Sequence, residues 1–155
     1  QTIANCVWAC GTLGIQSPRL FDQLGKQSEW MFKHGNAQSI ANSVWACAKL
    51  GIKSPRLFDE LEKSSKWLFD NGNAQTIANC VWACGTLGIQ SPRLFDQLGK
   101  QSEWMFKHGN AQSIANSVWA CAKLGIKSPR LFDELEKSSK WLFDNGNAQT
   151  IANCV

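Results

Sequence analysis

The chain has 155 residues, a formal net charge of +4, eight tryptophans, eight phenylalanines and no tyrosine. No apolar run is long enough to span a bilayer, so no membrane partner is expected, and a mild positive charge permits a polyanion partner without requiring one. No signal or transit peptide and no initiator methionine opens the sequence, which reads as a segment of something longer with no compartment written in it.

The decisive feature is self-similarity. Residues 1–37 align without gaps onto 38–74, sharing "IAN.VWAC", "LGI.SPRLFD.L", "W.F" and "GNA", and residues 75–148 repeat residues 1–74 without a change. The units are therefore 1–37, 38–74, 75–111 and 112–148, with a partial unit at 149–155. Odd units carry three basic and two acidic residues and even units five and four, so each unit is +1. A two-helix unit cannot bury its apolar face alone; stacked neighbours bury a continuous core. The expected fold is all-α, an α-solenoid of two-helix repeats with a right-handed superhelical course.

In chain order, each unit opens on helix A. In the second unit Asn36 reads as its N-cap, the helix runs to about Leu50, and Gly51 is a left-handed stop. Ser54 then reads as the N-cap of helix B with Pro55 in its first turn, and helix B runs as one piece to about Asp70. The short connections make A and B antiparallel neighbours.

An advance of 100° per residue assigns the faces. On helix A of the first unit, Ile3, Ala4, Val7, Trp8, Cys10 and Gly11 share one arc, so Trp8, Trp45, Trp82 and Trp119 are expected between the A and B helices. Thr2, Asn5, Cys6, Ala9 and Thr12 lie opposite, a small polar face fit to line a groove. Helix B is expected to bury Leu20, Phe21, Leu24, Ser28, Met31 and Phe32. Trp30, like Trp67 of the even unit, falls in its polar arc, either packing under a neighbouring helix B or over the Lys26 stem, or standing as an exposed aromatic rung that contacts a partner.

The cysteines follow the repeat, as Cys6, Cys10, Cys47, Cys80, Cys84, Cys121 and Cys154. An odd number on helices is not a disulfide framework. Cys6 and Cys10, one turn apart, are badly placed for a relaxed disulfide. Free, reduced thiols and an intracellular setting are expected. His34 and His108 are isolated, so no metal site and no cofactor is expected. An asymmetric constellation for catalysis is also missing, and the chain reads as a non-enzyme.

The run "NAQSIANSVWACAKLGIKSPRLFDELEKSS" resembles a helical-repeat family of organellar RNA binders, the octotricopeptide repeats and the similar 37-residue heptatricopeptide repeats. The resemblance rests on unit length, the tryptophan after "IAN", the following "LG" and the Pro-opened helix B, and it covers the chain. It implies single-stranded RNA bound along helix A at about one base per unit, in a mitochondrion or plastid. The family's groove face matches Thr2, Asn5, Cys6 and Ala9; Ser39, Asn42, Ser43 and Ala46; Thr76, Asn79, Cys80 and Ala83; Ser113, Asn116, Ser117 and Ala120. Lys49 and Lys123 would supply phosphate contacts.

Asn5, Asn42, Asn79, Asn116 and Asn153 recur in every unit, either as a ladder bonding its neighbours or as base-edge or phosphate contacts. Base discrimination would have to come from odd–even differences such as Cys6 against Ser43. The competing reading is a structural or protein-interaction scaffold whose ends stack on further copies or flanking repeats.

Overall fold

The computed structural model describes residues 2–154, and among them are thirteen helices. The A helices are α1 (Thr2–Leu13), α4 (Ala37–Leu50), α7 (Ala74–Leu87), α10 (Ala111–Leu124) and the short α13 (Ala148–Cys154). Helix B is divided in every unit, into α2 (Pro18–Lys26) and α3 (Ser28–His34), α5 (Pro55–Lys63) and α6 (Ser65–Asn71), α8 (Pro92–Lys100) and α9 (Ser102–His108), and α11 (Pro129–Lys137) and α12 (Ser139–Asn145). The protein is all-α, as expected.

The A helices begin and end where their residues dictate. Asn36 Oδ1 accepts the amide of Ser39 at 2.7 Å, and Asn73, Asn110 and Asn147 do the same for Thr76, Ser113 and Thr150. Each takes up a donor the first turn leaves without an intrahelical acceptor. At the far end Gly51 turns left-handed at φ 70°, and the amide of Ile52 reaches back to Cys47 O at 2.8 Å. This is a Schellman stop, which an L side chain at the glycine would strain.

Helix B is not the single helix expected. Ser28 is buried and its Oγ donates to Leu24 O at 3.1 Å; Ser65 and Ser102 donate in the same way to Leu61 O and Leu98 O. A hydroxyl that competes for the carbonyl one turn back bends a helix, and the break falls on the residue before, at Gln27, Ser64 and Gln101. Nor does Ser54 cap helix B, since its hydroxyl makes no cap hydrogen bond.

Equivalent helices pack on one another in chain order: α1 on α4, α4 on α7, α7 on α10 and α10 on α13, with α2, α5, α8 and α11 likewise in sequence. This order is compatible with the expected solenoid. Leu24, Leu57, Leu61, Leu68, Leu94 and Leu98 are fully buried along the B side of one core, each contributing about 1.5–3 kcal/mol of burial. Leu20 in the first unit is only half-buried, while its counterpart Leu57 is fully covered. Trp67 packs on Phe32 of the preceding unit with ring centroids 6.4 Å apart, and Trp104 on Phe69 at 6.3 Å, as expected for a neighbouring helix B. Trp30, on the first helix B, is 53% exposed and lies 5.0 Å from the His34 ring.

Two kinds of joint alternate along the stack. From odd to even unit, Gly11 and Gly85 let the A helices close up: a Cβ on Gly11 would lie 3.0 Å from Ala46 Cα. Gln16 Nε2 and Gln90 Nε2 also cross the joint to Leu50 O and Leu124 O at 3.2 and 3.3 Å. From even to odd unit the tie is a carboxylate. Glu62 accepts from Ser91 Oγ at 2.8 Å and from the amides of Arg93 and Leu94 at 3.0 and 3.3 Å, capping α8 from the unit before.

Candidate nucleic-acid interface

Helix A of an interior unit is covered on three sides, by the A helix before, the A helix after and the core it shares with the B helices. Only one narrow stripe reaches the surface. From Ala37 to Ala48 every residue of α4 is buried except Gln38, Asn42 and Trp45, and Lys49 continues their line. In α7 the stripe is Gln75, Asn79, Trp82 and Thr86, and in α10 it is Gln112, Asn116, Trp119 and Lys123. The spacing i, i+4, i+7, i+11 is a single face of a 3.6-residue helix.

This corrects the face expected from the sequence. Ser39, Ser43, Thr76, Cys80, Ser113 and Ser117 are all buried, and so are Ala46, Ala83 and Ala120. They are the small side chains that let successive A helices come together. Ser43 Oγ and Ser117 Oγ each donate at 2.9 Å to a backbone carbonyl of their own helix, Ser39 O and Ser113 O. The Ser/Cys alternation at 43, 80 and 117 is therefore a packing difference inside the joints. Only α1, first in the stack, shows Thr2, Asn5 and Cys6 to solvent, with Ala9 half-buried.

Of the expected polar residues, Asn42, Asn79 and Asn116 remain half-buried on the stripe and Lys49 and Lys123 are exposed on it. The side chain of Asn153 lies outside the described residues. Gln112 Nε2 donates to Asn116 Oδ1 at 2.8 Å, so this amide is held by its own helix.

The tryptophans after "IAN" are also displaced from their expected place between A and B helices. Trp8 is 45% exposed, and Trp45, Trp82 and Trp119 are half-buried on the stripe. Trp8 and Trp45 stack with centroids 6.4 Å apart and planes 26° apart, and Trp82 and Trp119 repeat this at 6.5 Å and 26°. The glycines allow it, because the Trp45 ring edge passes 3.3 Å from where a Gly11 Cβ would be. Lys49 Nζ sits 5.7 Å from the Trp45 centroid and Lys123 Nζ 5.8 Å from that of Trp119, within cation–π range. The asparagine three residues before each tryptophan was the available signal, since positions i and i+3 share a helix face.

The thiols stand apart from this surface chemistry. All seven are free. Burial pushes Cys47, Cys84 and Cys121 up to about 12, with the Glu62 charge adding to the effect at Cys84, and burial with the neighbouring Cys84 holds Cys80 well above the ordinary thiol value.

A sequence profile of the RNA-editing substrate-binding complex 6 proteins matches residues 1–155. The chain belongs to that family. No curated protein matches it. The match does not single out the octotricopeptide or heptatricopeptide repeats; it identifies a helical protein associated with RNA editing. In this member of the RNA-editing substrate-binding complex 6 family, no helix among the described residues is long and apolar enough to cross a membrane.

Proposed function

We propose that the chain binds single-stranded RNA along the Gln–Asn–Trp–Lys/Thr stripe of its A helices, without catalysing a reaction on it. The observation that carries this reading is the conjunction of stacked, partly exposed indoles with lysines over them and amides beside them. Indole faces accept any base by stacking, worth about 1–3 kcal/mol per base, and lysines neutralise phosphates. Kinship with an RNA-editing substrate-binding complex supplies the RNA connection. Complexes of that kind work in mitochondria, which favours the mitochondrion of the two organelles implied by the repeat resemblance.

About one base per unit is retained from the resemblance to octotricopeptide and heptatricopeptide readers. A strong base code is not. The asparagine and tryptophan are the same in every unit, and the stripe alternates only between Thr12 or Thr86 and Lys49 or Lys123. Recognition by stacking and charge follows, with little sequence preference.

The test is titration of single-stranded RNA against the chain and against a Trp45→Leu/Trp119→Leu variant, which keeps apolar bulk but removes two indole faces. The variant should bind roughly ten- to a hundredfold more weakly. Equal affinity would remove the stripe from the binding surface, and no binding at low salt would remove RNA altogether.

A second reading rests on Glu136, the counterpart of Glu62. It is exposed next to Phe132 (38% exposed) and Phe143 (63% exposed). A further odd-type unit, from a second copy or from flanking repeats, would take the carboxylate as its helix cap and cover both rings. Sedimentation that shifts with concentration, and stops shifting in Glu136→Ala/Phe143→Ser, supports it; a monomer at all concentrations refutes it for the second copy.

A further inference from the structure

We propose that the cavity between α2 and α5, and its copy between α8 and α11, binds a phosphate group. The argument starts from the two kinds of joint. At the even-to-odd joint, Glu62 places a carboxylate on the first turn of α8, held by Ser91 Oγ and the Arg93 and Leu94 amides. At the odd-to-even joint the residue at the same place in the unit is Gly25 or Gly99. The first turns of α5 and α11 offer the same donors, Ser54 and Ser128 with the amides of Arg56, Leu57, Arg130 and Leu131; neither serine caps its own helix, and no side chain among the described residues accepts from these amides.

The glycine leaves an open cavity of about 680 Å³, lined by Gly25, Lys26, Ser54 and Arg56, and a second of about 680 Å³ lined by Gly99, Lys100, Ser128 and Arg130. Ser54 is 7% exposed and its hydroxyl points at the place of the missing side chain, 3.3 Å from a Cβ built on Gly25. Ser128 repeats this at 9% exposure and 3.0 Å. Neither hydroxyl has a hydrogen-bond partner among the described residues, in contrast to Ser91. One carboxylate also lines each cavity, Asp22 or Asp96, and it is paired with Lys26 at 3.0 Å or Lys100 at 3.1 Å.

The ligand follows from these donors. Two amides on a helix first turn and a hydroxyl select an oxyanion, the same choice that the intrachain carboxylate makes one joint away. The added guanidinium and ammonium, and a space larger than a carboxylate needs, favour a tetrahedral phosphate over a carboxylate. Its source is a free phosphate or a phosphodiester of a bound RNA strand. The site stands independently of the RNA reading, because it can be probed without RNA.

The experiment is titration of the 155-residue chain with inorganic phosphate, followed by amide NMR shifts, with chloride at matched ionic strength as the control. Saturable shifts are expected at Arg56, Leu57, Arg130 and Leu131, and none at Arg93 and Leu94, whose amides Glu62 already holds. Gly25→Glu/Gly99→Glu should abolish the shifts by supplying the internal carboxylate. Glu62→Gly should bring Arg93 and Leu94 into the responding set. Shifts spread evenly over the surface, equal in chloride, or undiminished in the glutamate variant would overturn the proposal. A second arm separates the sources: with single-stranded RNA, Gly25→Glu/Gly99→Glu should lower the log–log salt slope by roughly 0.7 per lost phosphate contact. The charge-matched Gln23→Glu/Gln97→Glu control should change it less. An unchanged slope with phosphate shifts intact assigns the site to free phosphate.

Discussion

Glu62 Oε1 lies 2.8 Å from Ser91 Oγ, so the N-terminus of one unit's helix B is capped by the unit before it. The same carboxylate also takes the Arg93 amide. Cap and joint are one interaction, and folding one unit is thereby tied to folding the next. Glu62→Ala should cost about 1–2 kcal/mol, whereas Glu136→Ala, at an exposed residue, should stay within about 0.5 kcal/mol. Paired urea melts measure the difference; equal losses would show that the cap contributes nothing to the joint.

Ser43→Cys/Ser117→Cys gives every interior joint the odd-unit residue. Because both positions are buried, the swap should leave any base preference unchanged. A binding panel of homopolymers and alternating copolymers at one salt concentration checks it. A shift towards homopolymers would mean these side chains reach the ligand.

Lys49→Ala/Lys123→Ala should weaken RNA binding uniformly across sequences and lower the salt slope by about 1.4, two single-strand phosphate contacts at roughly 0.7 each. Binding isotherms across a salt series give the slope. A sequence-dependent loss would instead make the lysines base contacts.

Gly85→Ala places a methyl group 3.0 Å from Ala120 Cα. It should cost about 1–3 kcal/mol of overpacking and part the Trp82–Trp119 stack. Thermal melts and near-ultraviolet circular dichroism read the two effects, and an unchanged aromatic signal would show that the stack does not depend on the glycine.

The buried thiols predict an alkaline limb of stability. Cys47, Cys84 and Cys121 stand at about 12 in the folded chain against an ordinary 9.0. The unfolded chain therefore loses these protons first as pH rises. Their contribution is complete below pH 9 and is lost as pH climbs from about 9 towards 12. The melting temperature should fall over that window, and less steeply in Cys47→Ala/Cys121→Ala. In the native state at neutral pH a thiol reagent should reach exposed Cys6 well before these three.

Much of the chain is written in local chemistry. The period, Asn36 as N-cap, Gly51 as left-handed stop, Pro55 at the start of helix B and the leucines of its inner face need only neighbours in sequence to be read. Each acts within one or two turns, where dihedral preference and hydrogen-bond geometry decide. The surface of helix A is of another kind. A helical wheel gives the angle between Ser43 and Trp45 but not how many sides of the helix are covered. Once a second and third A helix stack beside it, the small serine is enclosed and the large indole, too bulky for that seam, is left at the rim. Likewise the sequence offers Ser54-Pro55 and Ser91-Pro92 as equal helix starts. Only the packing of α5 against α8 brings Glu62 to Ser91, and only that of α2 against α5 leaves Gly25 facing Ser54. The local elements were set by the sequence alone; which of their faces meet water was decided by the order in which identical units stack.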